Sequence, residues 1–247
     1  MITAAALCPA PPLLARELTG GDPVLPELRQ ACQAAAGALT SSRPDVIVVV
    51  GTGSATGIFD PAATLDLARY APGLAVRAGA GGGRAVVADR PVTADGRTAG
   101  LPPALGLGAL LLDQAGYAGR RVLQAVAEDE PARACAALGT GLAAGQGRVA
   151  LLVMADGSAR RTLKAPGYLD ERAVPFDDQV ERALRDGDGD ALLAVDAGLA
   201  RELMASGRPG WHVLAGALRG TGWAARVRYA GDPFGIGYLV ASLDITA

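Results

Sequence analysis

"RVALLVMADGSARR" (148–161) decides the fold class. The apolar run from Val149 to Ala155 is unbroken, and Asp156, Gly157 and Ser158 end it. A short apolar run closed by turn-forming residues is a strand buried on both faces. In α/β proteins the loops after such strands carry the chemistry, because the strand ends open onto a crevice. The loop that follows holds Arg160, Arg161 and Lys164, the one lysine in a chain whose other basic side chains are all arginine. It contains no histidine.

The same pattern repeats outward. "ITAAAL" reads as a first strand ended by the proline-rich "CPAPPLL" (8–14), and "DVIVVV" as a buried strand broken at "GTGSATG" (51–57). Leu25, Leu28, Cys32, Ala35 and Leu39 have helical spacing, which predicts a helix over Val24 to Leu39. "AGAGGGR" (78–84) and "TADGRTAG" (93–100) read as turn-rich stretches. Pro102 and Pro103 open a helix through "ALGLGALLLDQA". "RVLQAV" is a strand, and Pro131 to Ala144 a helix. Further helices are expected over Phe176 to Leu184, Asp190 to Leu203 and "WHVLAGAL". In "WAARVRY", Trp223, Ala225, Val227 and Tyr229 alternate with polar positions, and "IGYLVASL" closes the chain as an inner strand. Interleaved strands and helices predict one α/β domain over residues 1–247, with a mostly parallel, mixed sheet and helices on both faces.

Composition bounds the function. The chain has 247 residues, of which 50% are hydrophobic and 19% charged, with a net charge of −2. That balance lacks the basic stripe of a nucleic-acid binder or a polybasic membrane patch. No apolar run reaches the roughly 18 residues of a membrane span. "MITAAALC" lacks the basic leader of a lipoprotein signal, and Cys8, Cys32 and Cys135 are too few and too widely spaced for a disulfide framework. A cytoplasmic protein with reduced thiols is expected. The preference for arginine, alanine and glycine points to a GC-rich bacterial coding sequence.

Several motifs fail on inspection. A dinucleotide fingerprint starting at Gly51 and Gly53 needs a glycine where Thr56 stands. Asp186, Asp188 and Asp190 have calcium-loop spacing, but Ala191 and Ala197 occupy the glycine and glutamate positions; Asp190 instead caps the next helix. His212, the one histidine, lies between Trp211 and Val213 and reads as a packed side chain. One imidazole cannot build a two-histidine iron centre.

Taken together, "CPAPPLL", "VIVVVGTGSATG", "LLVMADGSARR", "SGRPGWHVLAGAL" and the closing "GDPFGIGYLVASL" resemble, in order and across nearly the whole chain, the class III extradiol ring-cleavage dioxygenases (LigB-type) and the Memo-like proteins. The resemblance implies that family's fold and a site at the strand ends. It also implies where the family's metal-binding and acid-base residues would stand. Here those positions hold Ala10, Ser54 and its neighbour Ala55, Ala159, and Ser206 in place of a Memo-type cysteine. Asp156, Gly207 and Arg208 match. The expectation is a divergent member that has lost the Fe(II) site, needs no cofactor, and keeps a small-molecule pocket.

Candidate catalytic groups are Asp156 and Ser158. Candidate ligand contacts are Ser54, Asp156, Ser158, Arg160, Arg161, Lys164, Ser206 and Arg208. Arginine forks suit a carboxylate or phosphate, so an anionic ligand is one expectation, against a plain solvated loop. Two other readings stand beside it: an active Fe(II) dioxygenase with unusual ligands such as Asp156 and His212, and a non-catalytic interaction subunit. A homo-oligomer is compatible with each; nucleic acid and membrane are not expected partners.

Overall fold

Two strands with no polar side chain between Val46 and Gly51 or between Val149 and Met154 must be covered on both faces, and the computed structural model covers them. It describes residues 1–20, 24–77, 84–87, 100–145 and 147–246. Chain order is β1 (Ile2–Cys8), a 3₁₀ turn (Pro12–Leu14), α1 (Arg16–Thr19), α2 (Pro26–Ser41), β2 (Val46–Gly53), β3 (Gly57–Phe59), β4 (Thr64–Asp66), β5 (Leu74–Arg77), β6 (Arg84–Val87), α3 (Pro103–Gln114), β7 (Arg120–Ala127), α4 (Ala132–Ala143), β8 (Val149–Met154), α5 (Ala173–Asp186), α6 (Gly189–Leu193), α7 (Ala197–Glu202), α8 (Arg208–Ala217), β9 (Gly222–Gly231) and β10 (Tyr238–Thr246).

The main sheet has the order β3-β7-β2-β8-β1-β10-β9; β4, β5 and β6 form a separate small sheet. β7, β2, β8 and β1 are parallel, so their C-terminal ends share one edge. β3, β10 and β9 add antiparallel margins. The fold is therefore α/β with a mixed sheet.

Side-chain alternation splits the interior in two. Leu7, Val48, Val50, Leu151 and Val153 face α4 to α8. Ala6, Cys8, Ile47, Val49, Leu152 and Met154 face α2, α3 and the small sheet. Glycine sets the spacing where helices come closest. A Cβ at Gly108 of α3 would stand 2.5 Å from Val49 Cγ1, and one at Gly106 2.7 Å from Leu65 Cβ, so α3 fits between the two sheets. On the other face, a Cβ at Gly139 of α4 would lie 2.0 Å from the Val213 carbonyl oxygen, and one at Gly216 of α8 2.1 Å from that of Ala136.

Some expectations need correction. The helix read as Asp190 to Leu203 is two, because the Asp196 carboxylate accepts from Leu199 N–H at 2.6 Å and starts α7 anew. The cap of α6 is Asp188, accepting from Ala191 N–H, and not Asp190. A bulge where β9 passes Val240 and Ala241 turns Tyr229 towards the α2–α3 core, while Trp223 and Ala225 pack on the other. The stretches 78–84 and 93–100 lie outside the described residues, apart from 84 and 100.

The α4–α8 contact gives a paired test. Gly139→Ala forces backbone apart and should cost about 3 kcal/mol or more in urea unfolding, or prevent folding. Gly141→Ala, two residues along the same helix with nothing within 4 Å of the new Cβ, should add about 0.5–1 kcal/mol.

Candidate functional site

The prolines after β1 leave a backbone short of donors. Pro9, Pro11 and Pro12 have no N–H, so Ala10 carries the only amide proton of that stretch. It donates to Asp156 Oδ1 at 2.8 Å. The Asp156 carbonyl accepts from Gly207 N–H at 2.9 Å, just ahead of α8. Ser206 is next to it, and its carbonyl takes the Thr52 hydroxyl of β2 at 2.6 Å. Ala10, Asp156 and Ser206 thus meet at the C-terminal edge of β1, β2 and β8.

Asp156 is the titratable group of this corner. It is half-buried, and its second carboxylate oxygen has no partner among the described residues. Desolvation pushes its pKa up to about 6, with the Ala10 N–H opposing. Tyr238, at the start of β10, is pushed well above the usual phenol range by burial and by the Asp156 charge. Its hydroxyl has no hydrogen-bond partner among the described residues either. Sequence reading passed over Tyr238, although it stands in the closing stretch "GDPFGIGYLVASL". A carboxylate able to exchange its proton near neutral pH, beside a neutral phenol, can accept a hydrogen bond or a proton from a bound molecule.

The other candidates have different duties. Ser158 is fully buried: its N–H and hydroxyl both donate to Asp177 of α5, at 2.8 and 2.7 Å. It is a structural anchor and not a catalytic group. Arg161 donates to Asp177 at 3.0 Å and Asp232 at 2.9 Å. Arg160 donates to the carbonyls of Gly167 and Glu202 and sits 3.6 Å from Asp170. Both guanidiniums are engaged by the fold's own acceptors, which argues against the expected anion site. Lys164 is exposed and has no partner among the described residues. Asp177 gathers three of these bonds. Sequence reading saw only a helical position there, since the partners come from residues far along the chain.

Ser54 is exposed beyond β2, as is Ala55. Ala159 points inward, its N–H on the Leu203 carbonyl. Arg208 is buried, giving its Nη2 to the carbonyls of Glu128 and Glu130 at the end of β7, so it ties α8 to the sheet and is not a ligand contact. Its Nη1 lies 3.4 Å from His212 Nδ1. Arginine can only donate, so Nδ1 accepts and the neutral ring carries its proton on Nε2. Burial, then the Arg208 charge, holds His212 down to about 4. It is a packed histidine, one turn from Arg208, with no hydrogen bond to Asp156. Cys8 is no thiolate: its hydrogen bond with Cys32, then burial, raises its pKa. Burial pushes Cys135 up to about 11.

The donor set does not suit iron. The corner offers one carboxylate, alanine and serine, with no imidazole, and among the described residues no three His, Cys, Asp or Glu side chains gather as a metal would need.

No family model matches this sequence, and no curated protein does. One similar solved structure is an uncharacterized protein, JW3007, of Escherichia coli K12. It is 16% identical, with a TM-score of 0.55 over 97% of this chain and 99% of that one. Likeness at that identity establishes a shared fold.

Asp156 has a testable cost. Its folded pKa lies above its unfolded value near 3.8, so the folded state binds the proton more tightly. Stability therefore falls as pH rises from about 4 to 6 and stays lower above. Allowing for partial exposure, the loss is on the order of 2 kcal/mol. Asp156→Asn keeps an acceptor for Ala10 and should be more stable than the parent by that amount at pH 8, with no gain at pH 4. Urea unfolding at the two pH values checks it, and equal differences at both would refute the assignment.

Proposed function

We propose that this chain is a metal-free protein of the class III extradiol dioxygenase (LigB-like) fold, which binds a hydroxyl- or amine-bearing small molecule at its strand ends through Asp156. The observation that carries the reading is the Asp156 carboxylate: half-buried, poised near neutral pH, with one oxygen free, at the edge where α/β folds keep their ligands. The ligand donates to this oxygen, and Tyr238 gives the corner a neutral second contact. An anionic ligand does not fit, since Asp156 repels it and Arg160 and Arg161 are already paired. The four parallel strands, whose C-terminal ends share one edge, support placing the site at the strand ends.

The residues do not fit Fe(II), so no oxygen chemistry is derived for the site. No helix among the described residues is long and apolar enough to cross a membrane, which agrees with a ligand taken from water.

Catechol tests the reading. Titrated by calorimetry at pH 7.5, it should bind the parent chain and bind Asp156→Asn about tenfold more weakly, the loss of one hydrogen bond to a charged acceptor. Incubation with Fe(II) under nitrogen, then catechol and air, should give neither stoichiometric iron nor oxygen uptake. Equal binding by the variant would remove Asp156 from the site. About one iron per chain, lost in Asp156→Asn, with oxygen consumed, would restore the iron-dependent reading.

A further inference from the structure

Behind β8, on the α4–α8 face and away from the Asp156 carboxylate, lies a cavity of about 130 Å³ between α5, α8 and the β9–β10 pair. Its apolar wall is Leu7, Val180, Trp211 and Leu239. Its polar wall is Arg161 with Asp177, Asp178 and Glu181.

Two features of this wall are unfinished. Trp211 is 2% exposed, and its indole N–H has no acceptor among the described residues. A buried donor left unpaired costs about 1–3 kcal/mol, and indole can only donate. The acids form the second feature. Asp177 is consumed by Ser158 and Arg161. Both Arg185 donors fall on Glu181 Oε1, so Oε2 is free. Asp178 has no partner among the described residues. The carboxylates are partly exposed and Trp211 is not, so the acids stand towards the mouth and the indole within.

We propose that this cavity is a binding site for a compact arylalkylamine carrying one hydrogen-bond acceptor at the end remote from its nitrogen. The acceptor meets Trp211 Nε1–H. The ring lies against Leu7, Val180 and Leu239, and the ammonium reaches Asp178 and the free oxygen of Glu181. Size suits the ring: a cavity of about 150 Å³ takes benzene, so this one holds the aromatic part while the ammonium stands at the open mouth. Charge agrees too: the Arg161–Asp177 and Arg185–Glu181 pairs cancel, and Asp178 is left to favour a cation. The inference does not depend on the Asp156 reading: Asp156 does not line the cavity, and Tyr238, which does, is given no contact to the amine.

Tyramine is the probe, with phenethylamine (no acceptor) and p-cresol (no ammonium) as truncations. Calorimetry on Asp156→Asn, in which the strand-end site is weakened, should give one site per chain, with tyramine about tenfold tighter than either truncation. In a ¹⁵N–¹H spectrum the Trp211 indole resonance should shift on addition, while that of Trp223, which does not line the cavity, stays in place. Asp178→Asn with Glu181→Gln, both partly exposed and safe for folding, should weaken tyramine about tenfold; Trp211→Phe should remove its advantage over phenethylamine. Asp156→Asn should leave the tyramine-induced shift of the Trp211 resonance unchanged. No binding at millimolar tyramine would overturn the proposal, as would equal binding of p-cresol, an unmoved Trp211 resonance, or loss of binding in Asp156→Asn alone.

Discussion

Three consecutive residues at the end of β8 hold the upper edge of the sheet together. Asp156 receives Ala10 N–H on its side chain and Gly207 N–H on its carbonyl. Gly157 donates to the Gly237 carbonyl. Ser158 gives N–H and hydroxyl to Asp177 and accepts from Gly237. The β1 loop, α8, β10 and α5 are thereby fixed to one point. This explains why the residues are small: a Cβ at Gly157 would stand 2.7 Å from Asp177 Oδ1 and 2.9 Å from the Gly237 carbonyl. It also explains why Asp156 stays where burial disfavours its charge. Its backbone is part of the scaffold, while its carboxylate faces the corner that the scaffold encloses.

The electrostatics follow from this arrangement. The loop after β8 looks cationic in sequence, but folding spends its arginines on Asp170, Asp177 and Asp232. Among the described residues, what the fold leaves unpaired around the strand ends is negative, on Asp156 at one face and on Asp178 at the other. Exposed pairs such as Arg172 with Glu202 contribute little, whereas the half-buried Arg161–Asp177 pair shapes the wall beside β10.

Much of the architecture was legible in the sequence because buried parallel strands cannot hide. The runs in "DVIVVV" and "RVALLVM" have no polar break, and the alternation in β9 marks a margin. The corner of Ala10, Asp156 and Ser206 was legible from strand-end placement, and His212 as a packed ring from its apolar neighbours. What failed were statements about partners. Nothing within a few residues of Arg161 shows that Asp177 and Asp232 will reach it, and nothing near Ser158 says its hydroxyl turns inward. Asp196 broke a helix that periodicity alone ran through, since a cap competes locally with propagation. Tyr238 escaped notice because its role depends on β10 lying beside β1.

That adjacency also shapes how the chain must fold. β1 lies between β8 and β10, with Ala4 opposite Asp244 and Ala6 opposite Leu152. The opening strand therefore has no sequence neighbour to pair with, and one of its edges stays open until the last strand arrives. Contacts of such long range close large loops before they repay the entropy, which slows folding. During synthesis the segment Ile2–Cys8, apolar and rich in alanine, can gain β8 on one edge but waits for its partner on the other until β10 has been made. The late step that seals it is the same one that brings Tyr238 to the Asp156 corner, so the site forms only with the completed sheet.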